Sequence, residues 1–274
     1  MTDKFDWTGR AGDSWAAEWR RTDRSFGMLT ERLLQRSREF EFGKVLDIGC
    51  GAGELSLAIA RGRHQAKVIG VDISPRLIET ARERGANLTN AEFALGDAAE
   101  WVPEGGFAPD MLVSRHGVMF FGDPPAAFSH LASIAADGAK LLFSCFRTPA
   151  ENPFFTEVGS LLPPGDTPPD PHAPGPFAFA DADRVEAILS AGGWRDIAFE
   201  PFDFGMIAGG GADPIEDAIA YYSTIGPAAR SLPELDEEQR EAFLRDLRAL
   251  LQRHCHDGIV VLRAAAWIVT AEKA

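Results

Sequence analysis

Cysteine, tyrosine and positive charge are all scarce in this chain. Its 274 residues include three cysteines, two tyrosines, and 27 Lys and Arg against 41 Asp and Glu, which gives a net charge of −14. Three widely spaced cysteines argue against a disulfide scaffold and favour a reducing compartment, so we expect a cytoplasmic protein. The negative field repels a phosphate backbone, which argues against nucleic acid as a partner.

Long hydrophobic runs are also missing. No segment approaches the roughly 20 uninterrupted apolar residues of a membrane helix. The first residues, MTDKFDWTGR, lack the apolar core of a signal peptide. The hydrophobic fraction is nevertheless 45%, and a chain of this length buries enough surface to fold without disulfide or metal staples. We therefore expect a globular protein that has no membrane span.

Apolar runs alternate with helical patterns between residues 44 and 147. The runs are KVLDIGC, KVIGVDIS, AEFALGDA, DMLVSRHGV and KLLFSCF. Ser74 and Pro75 suit the N-cap and the first position of the helix after the second run. Continuous apolar strands that alternate with helices indicate a parallel sheet covered on both faces. The predicted fold class is therefore α/β, with a doubly wound sheet.

The composition divides the rest of the chain. Half of the 18 prolines lie between 148 and 180, where we expect a surface loop. A Gly-rich turn, a helix with both tyrosines and an amphipathic helix from Asp236 to about His254 follow. The predicted units are an N-terminal arm and helix (1–43), the α/β core (44–147), a Pro-rich loop with a helix and strand that complete the core (148–205), a helical lid insertion (206–257) and a final strand (258–274).

The most informative motif is the glycine turn after the first strand. In DIGCGAG, Asp47 precedes Gly49, Gly51 and Gly53, so the backbone can closely approach a bound ligand. Asp72 ends the second strand, where a carboxylate can accept both hydroxyls of a ribose. Asp97 follows the third strand, where it can accept from the amine at the edge of an adenine.

Together these motifs resemble the S-adenosylmethionine site of class I methyltransferases. DIGCGAG, VDIS, GDAAEW and SRHGVMFF carry the resemblance, which is closest to the small-molecule branch that includes ubiquinone/menaquinone-type methyltransferases. It implies a mostly parallel, seven-stranded Rossmann-like sheet with an antiparallel final strand and lid insertions. It also implies S-adenosyl-L-methionine as cofactor and S-adenosyl-L-homocysteine as product.

The resemblance assigns roles to particular residues. Asp47 orients the loop near the ammonium group of the cofactor, Asp72 holds the ribose, and Asp97 reads the adenine edge. The full set of implied cofactor-binding residues is Asp47, Gly49, Cys50, Gly51, Asp72, Ile73, Asp97, Ala98, Ser114 and Trp15.

Two alternatives stay open. A nicotinamide dehydrogenase also uses a glycine turn, but its third glycine would arrive one residue later than Gly53 does. That fingerprint also has no place for Asp47 or for the Gly-Asp pair at Asp97. The second alternative is a protein that binds S-adenosylmethionine without catalysing a reaction.

The acceptor side offers fewer signals. Methyl transfer from a sulfonium is an in-line displacement that needs a base only for a protonated acceptor. His116 is the candidate base, with plain packing as the alternative, and Arg115 either binds a substrate carboxylate or forms an ion pair. Tyr221 and Tyr222 are candidate substrate contacts, although adjacent helix residues face about 100° apart, so one of them can point inward while the other does not.

The expected acceptor is a small or medium organic molecule, phenolic or quinone-like, under the lid. His254, Cys255 and His256 are sequential neighbours, which argues against a metal site because adjacent side chains do not easily reach one ion. The sequence does not indicate an oligomeric state.

Overall fold

The computed structural model describes residues 4–163 and 170–274, and one mixed sheet forms its centre. The strands follow the order β3-β2-β1-β4-β5-β8-β6, and the short β7 pairs with β8. Their bounds are β1 Lys44–Ile48, β2 Lys67–Asp72, β3 Ala91–Leu95, β4 Met111–Arg115, β5 Lys140–Phe146, β6 Trp194–Gly209, β7 Cys255–His256 and β8 Ile259–Lys273.

The first five strands run parallel, and β8 lies antiparallel between β5 and β6. The predicted α/β class and the antiparallel final strand are therefore confirmed. Seven strands form the continuous path, as the resemblance implies, and the two-residue β7 adds an eighth. β1, β2, β4 and β5 are buried along almost their whole length because helices cover both faces of the sheet.

Twelve α-helices surround the sheet in the described part of the chain. Their bounds are α1 Lys4–Thr8, α2 Arg10–Ala17, α3 Trp19–Ser25, α4 Gly27–Ser37, α5 Glu54–Gly62, α6 Pro75–Gly85, α7 Pro124–Ile134, α8 Pro153–Gly159, α9 Ala182–Ala191, α10 Pro214–Thr224, α11 Pro227–Ser231 and α12 Glu237–Arg253.

Local sequence explains where several helices begin. The Ser74 hydroxyl accepts a hydrogen bond from the Leu77 amide and Pro75 opens α6, as the sequence predicts. Asp236 caps α12 and forms a reciprocal capping box with Gln239. Satisfying the free N–H groups in this way fixes the start of each helix, which is why these two starts are readable from the sequence.

Two predicted boundaries are corrected. The sequence predicts a lid insertion from residue 206, but β6 continues to Gly209, because its second half pairs with β8 from Val260 onward. The sequence also predicts a loop for the Pro-rich passage, but this passage contains α8, which Pro153 opens at its first turn. The centre of that passage, 164–169, lies outside the described residues.

The N-terminal region is more structured than the predicted arm and single helix. We call α1 to α3 the arm. Its helix α2 packs against α6 so closely that a Cβ built on Gly12 would lie 2.3 Å from the Ser74 Oγ. The arm therefore lies directly over the end of β2. In the described residues, none of the helices is long and apolar enough to cross a membrane.

Candidate functional site

The glycine loop between β1 and α5 turns through three left-handed residues. Gly49, Gly51 and Gly53 have φ values of 63°, 55° and 86°, a region in which a side chain is strained. A Cβ on Gly49 would also lie 3.0 Å from the Cα of Gly117. A Cβ on Gly51 would meet no atom of the described chain within 4 Å. The Gly51 backbone therefore faces open space at the carboxyl edge of the sheet.

Asp72 is held in place by the glycine loop itself. Its Oδ2 accepts a hydrogen bond from the Gly51 amide and its Oδ1 accepts one from the Ser74 amide, both at 2.8 Å. Burial raises the pKa of Asp72, and these backbone donors oppose the shift. The carboxylate retains further acceptor capacity, because each oxygen has a second lone pair.

The loop has fewer free amides than a glycine turn suggests from sequence. The Cys50 amide donates to the carbonyl of Val71 at 3.0 Å, and the Gly51 amide is engaged by Asp72. The Cys50 thiol is buried, and burial raises its pKa. Both amides are therefore used within the protein, and the contact of the Cys50 and Gly51 backbone with a cofactor stays a prediction.

Asp47 is a buried carboxylate with one partner. Its Oδ2 accepts from the Ser56 hydroxyl at 2.6 Å, whereas its Oδ1 is buried without a hydrogen-bond partner among the described residues. Burial raises the pKa of Asp47 to about 7, and the Ser56 hydrogen bond and the Arg115 charge oppose this shift. An unpaired buried oxygen is costly, so Asp47 is suited to receive a cationic or hydrogen-bond-donating ligand.

The remaining residues assigned to the cofactor lie at the same edge. Ile73 follows Asp72, and the Asp97 Oδ1 accepts a hydrogen bond from the Ala99 amide at 3.0 Å. Ala98 is buried next to Asp97. Because β1, β2 and β3 are parallel neighbours, their carboxyl ends place Asp47, Asp72 and Asp97 along one side of the sheet.

Ser114 connects the end of β1 to the turn after β4. Its buried hydroxyl donates to the Ile48 carbonyl at 2.7 Å and accepts from the Gly117 amide at 3.1 Å. Both interactions tie the end of β1 to the turn after β4. The Ser114 hydroxyl therefore makes its hydrogen bonds within the protein. A contact between the Ser114 backbone and a cofactor stays a prediction.

His116 adopts a strained conformation next to this support. Its φ of 60° lies in the left-handed region, and its ring packs 4.0 Å from Phe146 and 5.4 Å from Phe26, centroid to centroid. Its Nδ1 lies 3.3 Å from the Ser144 Oγ, while Nε2 is buried with no hydrogen-bond partner in 4–163 or 170–274. Burial lowers the pKa of His116 to about 3, so the ring is neutral at pH 7.

Arg115 reaches from the end of β4 to the arm. Its guanidinium donates to the Thr30 hydroxyl at 2.8 Å and to Asp23 at 3.3 Å, and it lies 5.3 Å from the Phe26 ring centroid. The ion pair with Asp23 is one of the two roles expected from sequence. Its charge also lowers the pKa of Asp47.

Both tyrosines of α10 are buried, which corrects the expectation that only one points inward. The side chains are 1% exposed because α10 is enclosed between β6 and the helices α11 and α12. Tyr222 donates to the Phe154 carbonyl at 3.2 Å. Tyr221 faces the arm: burial raises its pKa, which the hydroxyls of Ser25 and Thr22 oppose.

Aromatic contacts bring the arm to the turn after β4. Trp15 meets Trp7 edge-on at 5.4 Å, and Trp7 meets Phe120 at 5.1 Å. Trp15 is half-buried and belongs to the helix that covers Ser74. Its contact with a cofactor stays a prediction.

Farther away, the His254 Nε2 lies 2.9 Å from a carboxylate oxygen of Glu157.

Sequence reasoning missed Ser56 and the charged contacts of the arm. Ser56 carried a weak signal, since it is the one polar residue inside the apolar run LSLAIA of α5 and lies on the buried side. Asp23, Glu54 and Arg84 had no such signal in the sequence, because charged residues are usually exposed to solvent.

Comparison with known proteins matches residues 41–162 to a family model described as a methyltransferase domain. The chain is 32% identical over 168 residues to a trans-aconitate 2-methyltransferase of Variovorax paradoxus, which covers 61% of this chain and 60% of that protein. It is 32% identical over 102 residues to malonyl-[acyl-carrier protein] O-methyltransferase 1 of Ilyobacter polytropus, covering 37% of each chain. The matches thus span less than two thirds of either relative.

The fold is also that of solved structures. Phosphoethanolamine N-methyltransferase 2 of Haemonchus contortus, in complex with S-adenosyl-L-methionine, superposes with a TM-score of 0.59 at 18% identity, over 100% of this chain and 61% of that one. The ubiquinone/menaquinone branch suggested by the sequence is not confirmed, because the two relatives are named for other acceptors.

Proposed function

We propose that the protein is an S-adenosylmethionine-dependent methyltransferase for small or medium organic acceptors, since residues 41–162 match a family model described as a methyltransferase domain and the fold superposes on that of a solved N-methyltransferase. The observation that carries the proposal is the grouping of Asp47, Gly51 and Asp72 at the carboxyl ends of β1 and β2. The strand order reverses there, between β1 and β4, and such a switch point is where ligands bind in open α/β sheets.

The residues at this edge fit the proposed cofactor. The open space at Gly51 admits a ligand against bare backbone, and Asp72 has acceptor capacity left for ribose hydroxyls. Asp47 has an unpaired buried oxygen suited to an ammonium group. Asp97 with Ala98 and Ile73 would hold the adenine. When bound, S-adenosylmethionine supplies an electrophilic methyl group on a sulfonium.

The protein's own contribution is orientation and exclusion of water. The arm covers the end of β2, and α10 packs against β6 with Tyr221 and Tyr222 buried. Phe26 and Phe146 pack on the His116 ring. A dry, shaped site keeps an acceptor in line and prevents hydrolysis. We assign residues 206–257, apart from the end of β6, to this lid, and 44–147 to the cofactor domain.

Within this function, a carboxylate is the acceptor that the site favours. Arg115 at the end of β4 is already paired with Asp23, and the neutral His116 has a depressed pKa, so the site suits an acceptor that needs no base, such as a carboxylate, better than a phenol. The relatives are named for trans-aconitate and a malonyl group, both of which carry carboxyl groups. A free small carboxylic acid is therefore the first acceptor class to test.

His116→Gln is expected to leave turnover of such an acid within about threefold. Glutamine is neutral like the buried imidazole, and an ionised carboxylate needs no proton removed. A general base would instead contribute about 100-fold. The measurement is kcat for both proteins between pH 6 and 9, with a flat ratio expected. A loss of about 100-fold that varies with pH would make His116 the base and redirect the search to phenolic acceptors.

The function itself is tested by calorimetric titration with S-adenosylhomocysteine and, separately, with NADH. We expect micromolar binding of the first and none of the second. Labelled S-adenosylmethionine with a panel of di- and tricarboxylic acids, phenols and quinols then identifies the acceptor class. Binding without transfer to any acceptor would favour a non-catalytic binding protein, and binding of NADH alone would favour a dehydrogenase.

Asp47 provides a pH test of the same site. Its raised pKa means that the native state keeps the proton up to about pH 7, whereas the unfolded chain releases it near pH 4. The free energy of unfolding therefore falls as pH rises through this window and is level above it. Asp47→Asn removes this dependence.

The measurement for Asp47 is thermal unfolding of both ligand-free proteins at pH 5 and pH 7.5. We expect the melting temperature of Asp47→Asn, relative to the unsubstituted protein, to be higher at pH 7.5 than at pH 5 by about 5 °C. An equal difference at both pH values would contradict the raised pKa.

The other assignments follow from the same site. The three cysteines are all free thiols, which supports the cytoplasm as the compartment. A small-molecule acceptor is the proposed partner, and the acidic charge supports the absence of nucleic acid from that role.

A further inference from the structure

We propose that Arg84 is a positioning residue that holds the glycine loop and links it to the arm, an inference that rests on the proposed function. Arg84 lies near the end of α6, outside every motif that the sequence singled out. Its side chain is only 13% exposed, although arginine is seldom buried without several partners. The partners of the guanidinium therefore explain why Arg84 is buried.

One contact reaches the loop directly. The Arg84 Nη1 donates to the carbonyl of Ala52 at 2.7 Å, between Gly51 and Gly53. The Gly53 amide of the same peptide donates to the Cys50 carbonyl at 2.9 Å, so Arg84 and this turn hydrogen bond hold the peptide from both sides. Fixing the Ala52 carbonyl sets the direction of the neighbouring Gly51 backbone. A small misplacement there would weaken every contact the loop makes with a ligand.

The other contacts reach the arm. The Arg84 Nη2 donates to Asp23 and to Glu54, both at 2.7 Å, and the guanidinium lies 3.8 Å from the centroid of the Trp19 ring. Asp23 and Trp19 belong to α3, whereas Glu54 is the first residue of α5, directly after the loop. A planar guanidinium can donate in three directions and stack at the same time, which a lysine ammonium cannot.

Asp23 extends the link to the acceptor side. It pairs with Arg84 through Oδ2 and with Arg115 through Oδ1. Burial raises the pKa of Asp23, and the two arginines oppose this shift. The Asp23 carboxylate thus links Arg84, which holds the glycine loop, to Arg115 at the end of β4. The geometry of the loop and the position of the arm therefore depend on each other.

The test is the affinity for S-adenosylhomocysteine, measured by calorimetry on the full chain. Arg84→Ala is expected to lower it about tenfold, the usual range for coupling between sites. Arg82→Ala is the matched control: Arg82 lies on the same helix, and its hydrogen bonds in the described residues go to one backbone carbonyl, that of Phe93, and not to the loop or the arm. We expect Arg82→Ala to bind S-adenosylhomocysteine with unchanged affinity, although its melting temperature falls about as much as that of Arg84→Ala.

A second readout follows the arm itself. Trypsin cleavage after Arg20 or Arg21 is expected to be faster in Arg84→Ala than in Arg82→Ala, and S-adenosylhomocysteine is expected to protect the arm only where Arg84 is present. Arg84→Lys keeps the charge near Asp23 and Glu54 but not the three-way contact, so it should bind less tightly than the unsubstituted protein even if the alanine variant does not fold.

The outcomes separate the two proposals. If the unsubstituted protein does not bind S-adenosylhomocysteine, the proposed function fails and this inference fails with it. If it binds, and Arg84→Lys and Arg84→Ala bind as tightly as Arg82→Ala, the role of Arg84 alone is overturned.

Discussion

Asp72→Ala is expected to lower the affinity for S-adenosylhomocysteine by at least about 100-fold. The carboxylate accepts the amides of Gly51 and Ser74 and is the proposed partner of the ribose hydroxyls. Hydrogen bonds to a charged group contribute about 1.5–3 kcal/mol each, so the loss of two or more at the ligand and in the loop exceeds a hundredfold. Calorimetric titration measures the effect.

Asp110→Ala supplies the control for this substitution. Asp110 also receives backbone hydrogen bonds, from the amides of Gly43 and Lys44, but it does so at the opposite end of β1. We expect this variant to melt at a lower temperature and to bind with unchanged affinity. If the two variants lose affinity equally, the Asp72 effect is one of general stability and the site assignment is wrong.

Gly51→Val is expected to abolish binding while leaving most of the stability. A Cβ at Gly51 meets no protein atom within 4 Å, so we expect the main cost in stability to be the strain of a branched residue at φ 55°, of order 1–3 kcal/mol. The isopropyl group would occupy the space where we place the cofactor. An affinity loss of at least about 100-fold is expected.

Gly105→Val is the control that separates backbone strain from obstruction of the cofactor site. Gly105 has φ 61° and is equally open, but it lies in an exposed loop after β3. Both variants should lose a few degrees of melting temperature, and only Gly51→Val should lose S-adenosylhomocysteine binding. Retained binding in Gly51→Val would move the cofactor away from the glycine loop.

Local chemistry explains what the sequence could predict. Apolar runs bounded by glycine place β1 and β2, and the Ser74 and Asp236 caps begin their helices without help from distant residues. Asp47 and Asp72 follow the two strands directly, so parallel pairing alone brings them to one edge. These features depend on neighbours in the chain.

The features that sequence could not predict depend on contacts across the chain. The arm meets β4 through Asp23 and Arg115, which are 92 residues apart. Both tyrosines are buried because α10 is enclosed on two sides, a property of packing that helical periodicity does not contain. The hydrogen bonds of the Cys50 and Gly51 amides could not be predicted either, because their acceptors, Val71 and Asp72, belong to the next strand.

The place of β8 has a consequence for how the chain folds. β8 is the last strand in chain order, yet it lies between β5 and β6 and bonds along the length of both. Until it arrives, β5 ends the sheet with an open edge and β6 has no strand to join. Open edges promote association between chains. A nascent chain that has not yet released β8 therefore carries an open edge on β5 and a β6 with no strand to pair with, and the sheet is completed only after synthesis passes residue 273.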